Sequence, residues 1–224
     1  MAPTTQPAAP MTAVAPTQRE RATGWFRLAF ALFDTAAVLT TLDELLGRGG
    51  SAVNFFSYFT ILSNIFGIVV FYAGGLAPLR RSEQVNDYLR GAACLYLTIT
   101  GVVYWTLLRN VATPEGNSWT NLVVHGVMPV AVVIDWLIAP PRRPLERSGA
   151  LYWLIFPLVY LAYSLIRGPI AQWYPYPFLD PRKNGYVHVV VMSLVVTVAF
   201  MVFTALIVAV GNRLRSRRQP GKLD

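Results

Sequence analysis

Apolar residues gather in six blocks of about 20 residues, which is the length of chain that crosses a bilayer as an α-helix. Hydrophobic residues make up 54% of the 224 positions and charged residues only 13%, a balance typical of membrane proteins. The sequence therefore predicts an all-α polytopic integral membrane protein with six transmembrane helices in one bundle. The predicted spans are 25–46, 55–76, 88–108, 119–139, 150–166 and 187–210.

The chain outside these spans offers little room for a second folded unit. Residues 1–23 are rich in Ala, Pro and Thr and lack the apolar core of a signal peptide, which predicts a disordered cytoplasmic tail. Residues 24–212 form the predicted six-helix transmembrane domain, and residues 213–224 a basic cytoplasmic tail.

The formal net charge is +8, and most of the basic residues lie near alternate helix ends. The positive-inside rule then predicts a multi-pass protein of the cytoplasmic membrane with both termini in the cytoplasm. Basic residues at the C-terminus also favour contact with anionic lipids, so membrane lipids are the expected partners. No basic surface interleaved with aromatic residues accompanies them, which argues against a nucleic-acid partner.

Two polar side chains stand inside apolar spans, where each needs a partner or a function. Thr60 follows the predicted start of span two, and His125 follows the start of span four. At 1.5 Å per residue, both lie roughly 8 to 9 Å below their helix starts on the outer side. The sequence therefore predicts that Thr60 and His125 share a depth.

Neighbours at helical spacing extend this pair into a polar patch. Asn64 lies four residues after Thr60 and Asn121 four before His125, so each asparagine shares a helix face with its neighbour. Pro129 has no amide hydrogen for the carbonyl of His125, which predicts a kink beside the histidine.

A Thr hydroxyl bonded to a neutral imidazole is an activated nucleophile, because the imidazole takes the proton as the hydroxyl attacks a carbonyl. On this hypothesis Thr60 and His125 are catalytic, and Asn64 or Asn121 donates to the oxyanion. The alternative for Thr60 is a hydroxyl bonded to its own helix backbone, and for His125 a packing role.

Other polar residues receive smaller roles. Arg109 and Arg167 end on the outer side, where either can bind a fatty carboxylate or lipid phosphates. Asp43 and Glu44 lie at the outer end of helix one and are candidates to orient His125, but no third catalytic residue is assigned.

Two aspartates lie within predicted spans. Asp34 and Asp135 must be paired or protonated, and for Asp135 we expect a structural pair with an arginine. The aromatic loop at residues 168–186 either shields a site or forms an interfacial belt.

Several motifs resemble one family. They are Tyr-Phe-Thr-x-x-Ser-Asn at residues 58–64, His-x-x-x-Pro at 125–129, and the segments 160–168 and 174–180. Together they resemble the bacterial branch of the androgen-induced membrane hydrolases over about residues 25–210. The resemblance implies a multi-span hydrolase of fatty-acid esters of hydroxy fatty acids, with Thr60 as nucleophile and His125 as its base.

Two other classes of function stay open. His125 and His188 are the chain's two histidines, and they can ligate one haem iron only if their helices bring them to one depth. A non-enzymatic lipid-binding or transport bundle is the second alternative. One cysteine, Cys94, excludes a thiolate metal cluster, although two histidines plus a carboxylate remain possible, and we expect no metal and no cofactor.

Overall fold

The computed structural model describes residues 15–110 and 118–218, and every regular element in these ranges is helical. Six helical segments are long and apolar enough to cross a membrane, which confirms the all-α polytopic bundle. The α-helices are α1 (Gln18–Gly47), α2 (Ala52–Phe55), α3 (Phe59–Arg80), α4 (Asp87–Val103), α5 (Trp119–Leu122), α6 (Met128–Ile138), α7 (Arg147–Ala150), α8 (Ile155–Ala171) and α9 (Pro181–Arg218).

Both predicted tails are too long, because the first and last helices continue beyond the apolar residues. α1 begins at Gln18 rather than after residue 23, since Thr17 and Glu20 form a capping box that satisfies the first amides. α9 continues through the basic residues to Arg218, so a helix includes residues 213–218. The rest of the predicted tails, 1–14 and 219–224, lies outside the described residues.

Four of the six spans are not continuous α-helices, and α9 is one of them because Gly185 lies within it at φ 78° and ψ 166°. α4 ends in a π-helical turn, Tyr104–Leu108, and α5 joins α6 through a second one, Val123–Val127. α7 joins α8 through the 3-10 turn Leu151–Leu154. π-helical turns are short and are common at functional sites.

The second span begins later than predicted. Ser51 caps the short helix α2, which ends at Phe55, and α3 starts only at Phe59. Residues 56–58 therefore form a turn, and Thr60 is the second residue of α3.

α1 packs closely against α3 through small residues. A Cβ on Gly24 would lie 2.9 Å from the carbonyl oxygen of Gly75, so the two backbones touch at this crossing. Close approach of this kind is the usual basis of helix association in membranes, where burial of apolar surface gives no advantage over lipid.

A buried ion network joins α1, α4 and α6. Arg27 Nε donates to Asp135 Oδ1 at 2.7 Å, and Arg90 Nη2 donates to Asp135 Oδ2 at 2.7 Å. Arg90 also pairs with Asp87 at 3.1 Å. The prediction that Asp135 pairs with an arginine is confirmed. Asp34 is fully buried on α1, and its carboxylate has no hydrogen-bond partner among the described residues, so it is not one of the paired aspartates.

Replacing Asp135 by asparagine removes the charge that both Arg27 and Arg90 need. We expect Asp135→Asn to lower the free energy of unfolding in detergent by about 3 kcal/mol, since two buried guanidiniums lose their counter-ion. Unfolding by a denaturing detergent, followed by tryptophan fluorescence, measures this. The control is Asp43→Asn, because Asp43 is exposed. Equal stability of the two variants would contradict the network's role.

Candidate active site

The Thr60 hydroxyl has no carbonyl of its own helix to bond, because Thr60 lies at the start of α3. Within helices, Thr35 and Thr41 each donate to the carbonyl four residues earlier, at 2.7 and 2.9 Å. The residue four before Thr60 is Phe56, which precedes the helix. The Thr60 hydroxyl lies instead 3.2 Å from His125 Nε2, and the side chain is 5% exposed.

His125 faces Thr60 in a form suited to accept a proton. Its Nδ1 lies 3.3 Å from the carbonyl oxygen of Asn121, and because a carbonyl only accepts, Nδ1 carries the hydrogen of this bond. The lone pair of Nε2 is then directed at the Thr60 hydroxyl. The ring stacks on Tyr104 with 4.0 Å between the ring centroids, and the residue is 2% exposed.

Thr60 and His125 meet, but Thr60 lies nearer to its helix start than predicted. The distance below the helix start was counted from residue 55, whereas α3 begins at Phe59. Because of the turn before α3, the helix starts beside the π-helical turn that carries His125.

Pro129 explains the shape of the chain around His125. The amide of Met128 donates to Val123, five residues earlier, and Pro129 has no amide hydrogen. The carbonyls of Val124 and His125 accept hydrogen bonds from side chains of other helical segments. Trp105 Nε1 donates to the His125 carbonyl at 3.0 Å, which confirms that this carbonyl is released.

The contacts of the two asparagines give no support to their predicted oxyanion role. Asn64 Nδ2 donates to the carbonyls of Thr60, at 2.8 Å, and of Val124, at 3.2 Å, so both of its hydrogens are used. Asn121 Nδ2 donates to the Tyr104 hydroxyl. Helical spacing correctly predicted their helix faces. In the folded chain, Asn64 joins α3 to the π-helical turn that carries His125. Asn121 bonds Tyr104, whose ring stacks on the His125 ring.

Tyr176 is a site residue that the sequence did not identify. Its hydroxyl accepts from the Thr60 amide at 3.2 Å and lies 3.4 Å from the Thr60 hydroxyl. The amide is available because the first amides of a helix have no acceptor within it. Tyr176 belongs to the aromatic loop between α8 and α9, which was predicted either to shield a site or to form a belt.

An ion pair fixes the loop that carries Tyr176. The Arg182 guanidinium donates to both carboxylate oxygens of Asp180 at 2.8 Å, and a further bond goes to the Gln172 carbonyl at 3.0 Å. Hydrogen bonds from Arg182 lower the pKa of the Asp180 carboxyl below its usual value.

Two tyrosines of α8 hold the turn that precedes α3. Tyr160 donates to the Ser57 carbonyl at 2.9 Å, and the Tyr163 hydroxyl lies 2.7 Å from the Ser57 hydroxyl. Because Thr60 lies three residues after Ser57, α8 positions the start of α3.

A largely apolar cavity lies beside Thr60. It encloses about 790 Å³ counted out to its mouth, and its lining comes from α3, α4, α8, α9 and the 3-10 turn Pro177–Leu179. Thr60, Tyr160 and Tyr176 place hydroxyls on its wall, and none of the described lining residues is charged. α8 and α9 make few direct contacts with each other, and Leu158 on this side is half exposed. α8 and α9 therefore pack loosely against each other on this side of the cavity.

The arginines predicted to bind substrate lie outside this cavity. Arg167 donates to Asn54 Oδ1 at 2.7 Å and covers the ring of Trp173. Arg109 is exposed and lies over Trp105. Both arginines therefore lie beside aromatic rings and do not line the cavity, so their predicted role in substrate binding stays a prediction.

The predicted orienting carboxylates are also remote from the histidine. Asp43 and Glu44 are exposed, and Glu44 lies 3.9 Å from Arg48. The Asn121 backbone carbonyl orients the ring of His125 instead.

The geometry gives no support to a haem site. Both ring nitrogens of His125 already have hydrogen-bonding neighbours, while His188 is half-buried on α9. Among the described residues no group of three or more His, Cys, Asp or Glu side chains is placed to hold a metal ion.

Comparison with known proteins gives one match. A family model described as FAR-17a/AIG1-like protein matches residues 41–212, most of the chain and every residue of the site described above. No curated protein and no solved structure matches the chain significantly.

Proposed function

The chain belongs to the FAR-17a/AIG1-like family, and from that premise we propose that it is a membrane-embedded hydrolase of fatty-acid esters. The observation that carries the proposal is the 3.2 Å contact between Thr60 Oγ1 and His125 Nε2 at the wall of an apolar cavity. A nucleophile within hydrogen-bond reach of a base that a third group orients is the arrangement used for acyl transfer.

In the first step Thr60 Oγ1 attacks the ester carbonyl carbon while His125 Nε2 takes the hydroxyl proton. The carbonyl oxygen becomes an oxyanion. The Tyr176 hydroxyl lies 3.4 Å from the attacking oxygen, and the positive end of the α3 dipole also lies here, so both favour this charge. His125 then returns the proton to the leaving alcohol as the C–O bond breaks.

The second step uses the same groups with water as the nucleophile. His125 Nε2 removes a proton from water as its oxygen attacks the acyl-threonine carbonyl. Collapse of the second tetrahedral intermediate returns the proton to Thr60 Oγ1 and releases the fatty acid.

The cavity favours a neutral lipid ester as substrate. Its apolar lining suits an acyl chain. Because none of its described residues is charged, a charged headgroup would lose its hydration there without compensation. A substrate dissolved in the bilayer reaches the cavity between α8 and α9, which pack loosely against each other, so membrane lipids are the proposed source.

Removing either member of the pair tests the chemistry. We expect Thr60→Ala and His125→Ala to lower turnover of a branched fatty-acid ester by about 10³-fold, since each loses the activated nucleophile. Ester hydrolysis by purified protein in detergent measures this, with fluorophosphonate labelling of Thr60 in parallel.

The matched control is Thr197→Ala. Thr197 lines the same cavity, but its hydroxyl donates to the carbonyl of Ser193 at 2.8 Å in its own helix. It should retain wild-type turnover. Full activity of Thr60→Ala would exclude the nucleophile. Ester binding without hydrolysis by wild type would favour the lipid-binding alternative.

Tyr176→Phe removes the hydroxyl beside Thr60 and keeps the ring. We expect kcat to fall by about 10²-fold with little change in KM, because the lost donor acts on the oxyanion. Steady-state kinetics separates the two constants. Tyr174→Phe, in the same loop, is the control because its ring packs against Gly168 and lies beneath Arg182. An unchanged kcat in Tyr176→Phe would remove Tyr176 from the mechanism.

The proposed location is the cytoplasmic membrane with both termini in the cytoplasm, which places Thr60 toward the outer leaflet. In a Cys94→Ala background, we expect Arg48→Cys, after α1, to react with a membrane-impermeant maleimide on intact cells. Arg143→Cys, between α6 and α7, should react only after the cells are opened. The reverse pattern would invert the orientation.

A further inference from the structure

A second pocket lies at the opposite end of the bundle from Thr60, where the described chain begins and ends. It encloses about 630 Å³ counted out to its mouth. Five guanidiniums line it, and we call it the arginine pocket: Arg19, Arg27, Arg90, Arg142 and Arg218. Neither the Thr60–His125 pair nor the proposed hydrolysis uses any of these residues.

The base of the arginine pocket is electrically balanced. Arg27 and Arg90 are 5% and 8% exposed, and both contact Asp135, which is 3% exposed. Asp87 supplies a second buried carboxylate at 3.1 Å from Arg90. Two guanidiniums therefore face two carboxylates, and Arg90 Nε keeps no hydrogen-bond partner among the described residues.

The rim of the pocket is not balanced. Arg19, Arg142 and Arg218 are exposed, and their guanidiniums donate to the carbonyl ends of neighbouring segments, at 2.7, 2.8 and 3.5 Å. Arg142 also lies 3.6 Å from Asp87, whose charge the base already uses. Among the described residues that line the rim, Glu20 carries the single carboxylate, and its Oε2 accepts two bonds from Thr17. The described residues of the rim therefore carry three positive charges and one negative charge, which is an excess of two positive charges.

We propose that the arginine pocket binds a phosphate group. A guanidinium carries five N–H donors in a planar fork that matches phosphate oxygens. The bond from each rim arginine to a carbonyl uses only some of these donors. A phosphate monoester carries the complementary charge of about two. The phosphate group belongs either to an anionic lipid of the adjacent leaflet or to a soluble phosphate. Both can reach the pocket, because it lies at an end of the bundle and is open at its mouth.

Charge-matched variants test the site. Arg19→Gln/Arg218→Gln removes two rim charges, whereas Arg143→Gln/Arg213→Gln removes two exposed charges that do not line the pocket. Inorganic phosphate is titrated into protein in a maltoside detergent by calorimetry, with chloride keeping the ionic strength constant. We expect saturable binding that weakens by about tenfold or more in the rim variant and stays unchanged in the control.

A second arm distinguishes the source of the phosphate. Native mass spectrometry of the same proteins counts retained phosphatidic acid, a lipid whose headgroup is a phosphate monoester, after exchange into that lipid. Retention lost only in the rim variant identifies a lipid headgroup, and saturable binding of inorganic phosphate alone identifies a soluble ligand. Either result upholds the site. Equal weakening in rim and control variants, or no binding of either probe to wild type, overturns it.

Folding of the variants has its own check. Circular dichroism and size exclusion compare each with wild type, and the single variant Arg218→Gln replaces the double one if the latter misfolds. Ester hydrolysis serves as a separate readout, since the two pockets share no residue. Loss of phosphate binding with intact hydrolysis, or the reverse, therefore distinguishes failure of one proposal from failure of the other.

Discussion

The missing amide hydrogen of Pro129 is the constraint on which the candidate site depends. A continuous α-helix would use the carbonyls of Val124 and His125 within itself, and neither would be open to a neighbour. The π-helical turn Val123–Val127 releases both, and in a membrane each must find a donor. Asn64 satisfies one and Trp105 the other, so a local defect in hydrogen bonding becomes two contacts between helices.

A second backbone interruption complements the first. The turn before α3 puts Thr60 at a helix start, where its hydroxyl has no carbonyl one turn earlier and its amide has no acceptor within the helix. The amide bonds Tyr176, and the hydroxyl lies beside His125. Had α3 begun at residue 55, the hydroxyl of Thr60 would have bonded its own backbone, as those of Thr35 and Thr41 do. Both reactive groups therefore depend on places where regular helix stops.

The sequence predicted the parts of this arrangement that follow from local rules. Apolar length predicted six spans, proline chemistry predicted the released carbonyl of His125, and burial cost predicted a partner for Asp135. It did not predict Tyr176, because a loop residue is placed by the packing of α8 and α9 and by the Arg182–Asp180 pair rather than by periodicity. The partners of the two asparagines were missed for a related reason: an amide side chain bonds whichever buried carbonyl the fold leaves open, and spacing specifies only its helix face.

The reactive pair and the binding volume are controlled by different helices. The distance from Thr60 to His125 is fixed by contacts among α3 and the two π-helical turns, Tyr104–Leu108 and Val123–Val127. Asn64, Trp105 and Tyr104 make these contacts. The opposite wall of the cavity comes from α8 and α9, which touch each other little and expose apolar faces. Changes in side-chain size on α8 and α9 can alter the space for an acyl chain without reaching the bonds that position His125. Tyr160 and Tyr163 are the exception on α8, since they hold the turn before Thr60. Tyr160 also lines the cavity, so this position couples the shape of the cavity to the position of the nucleophile.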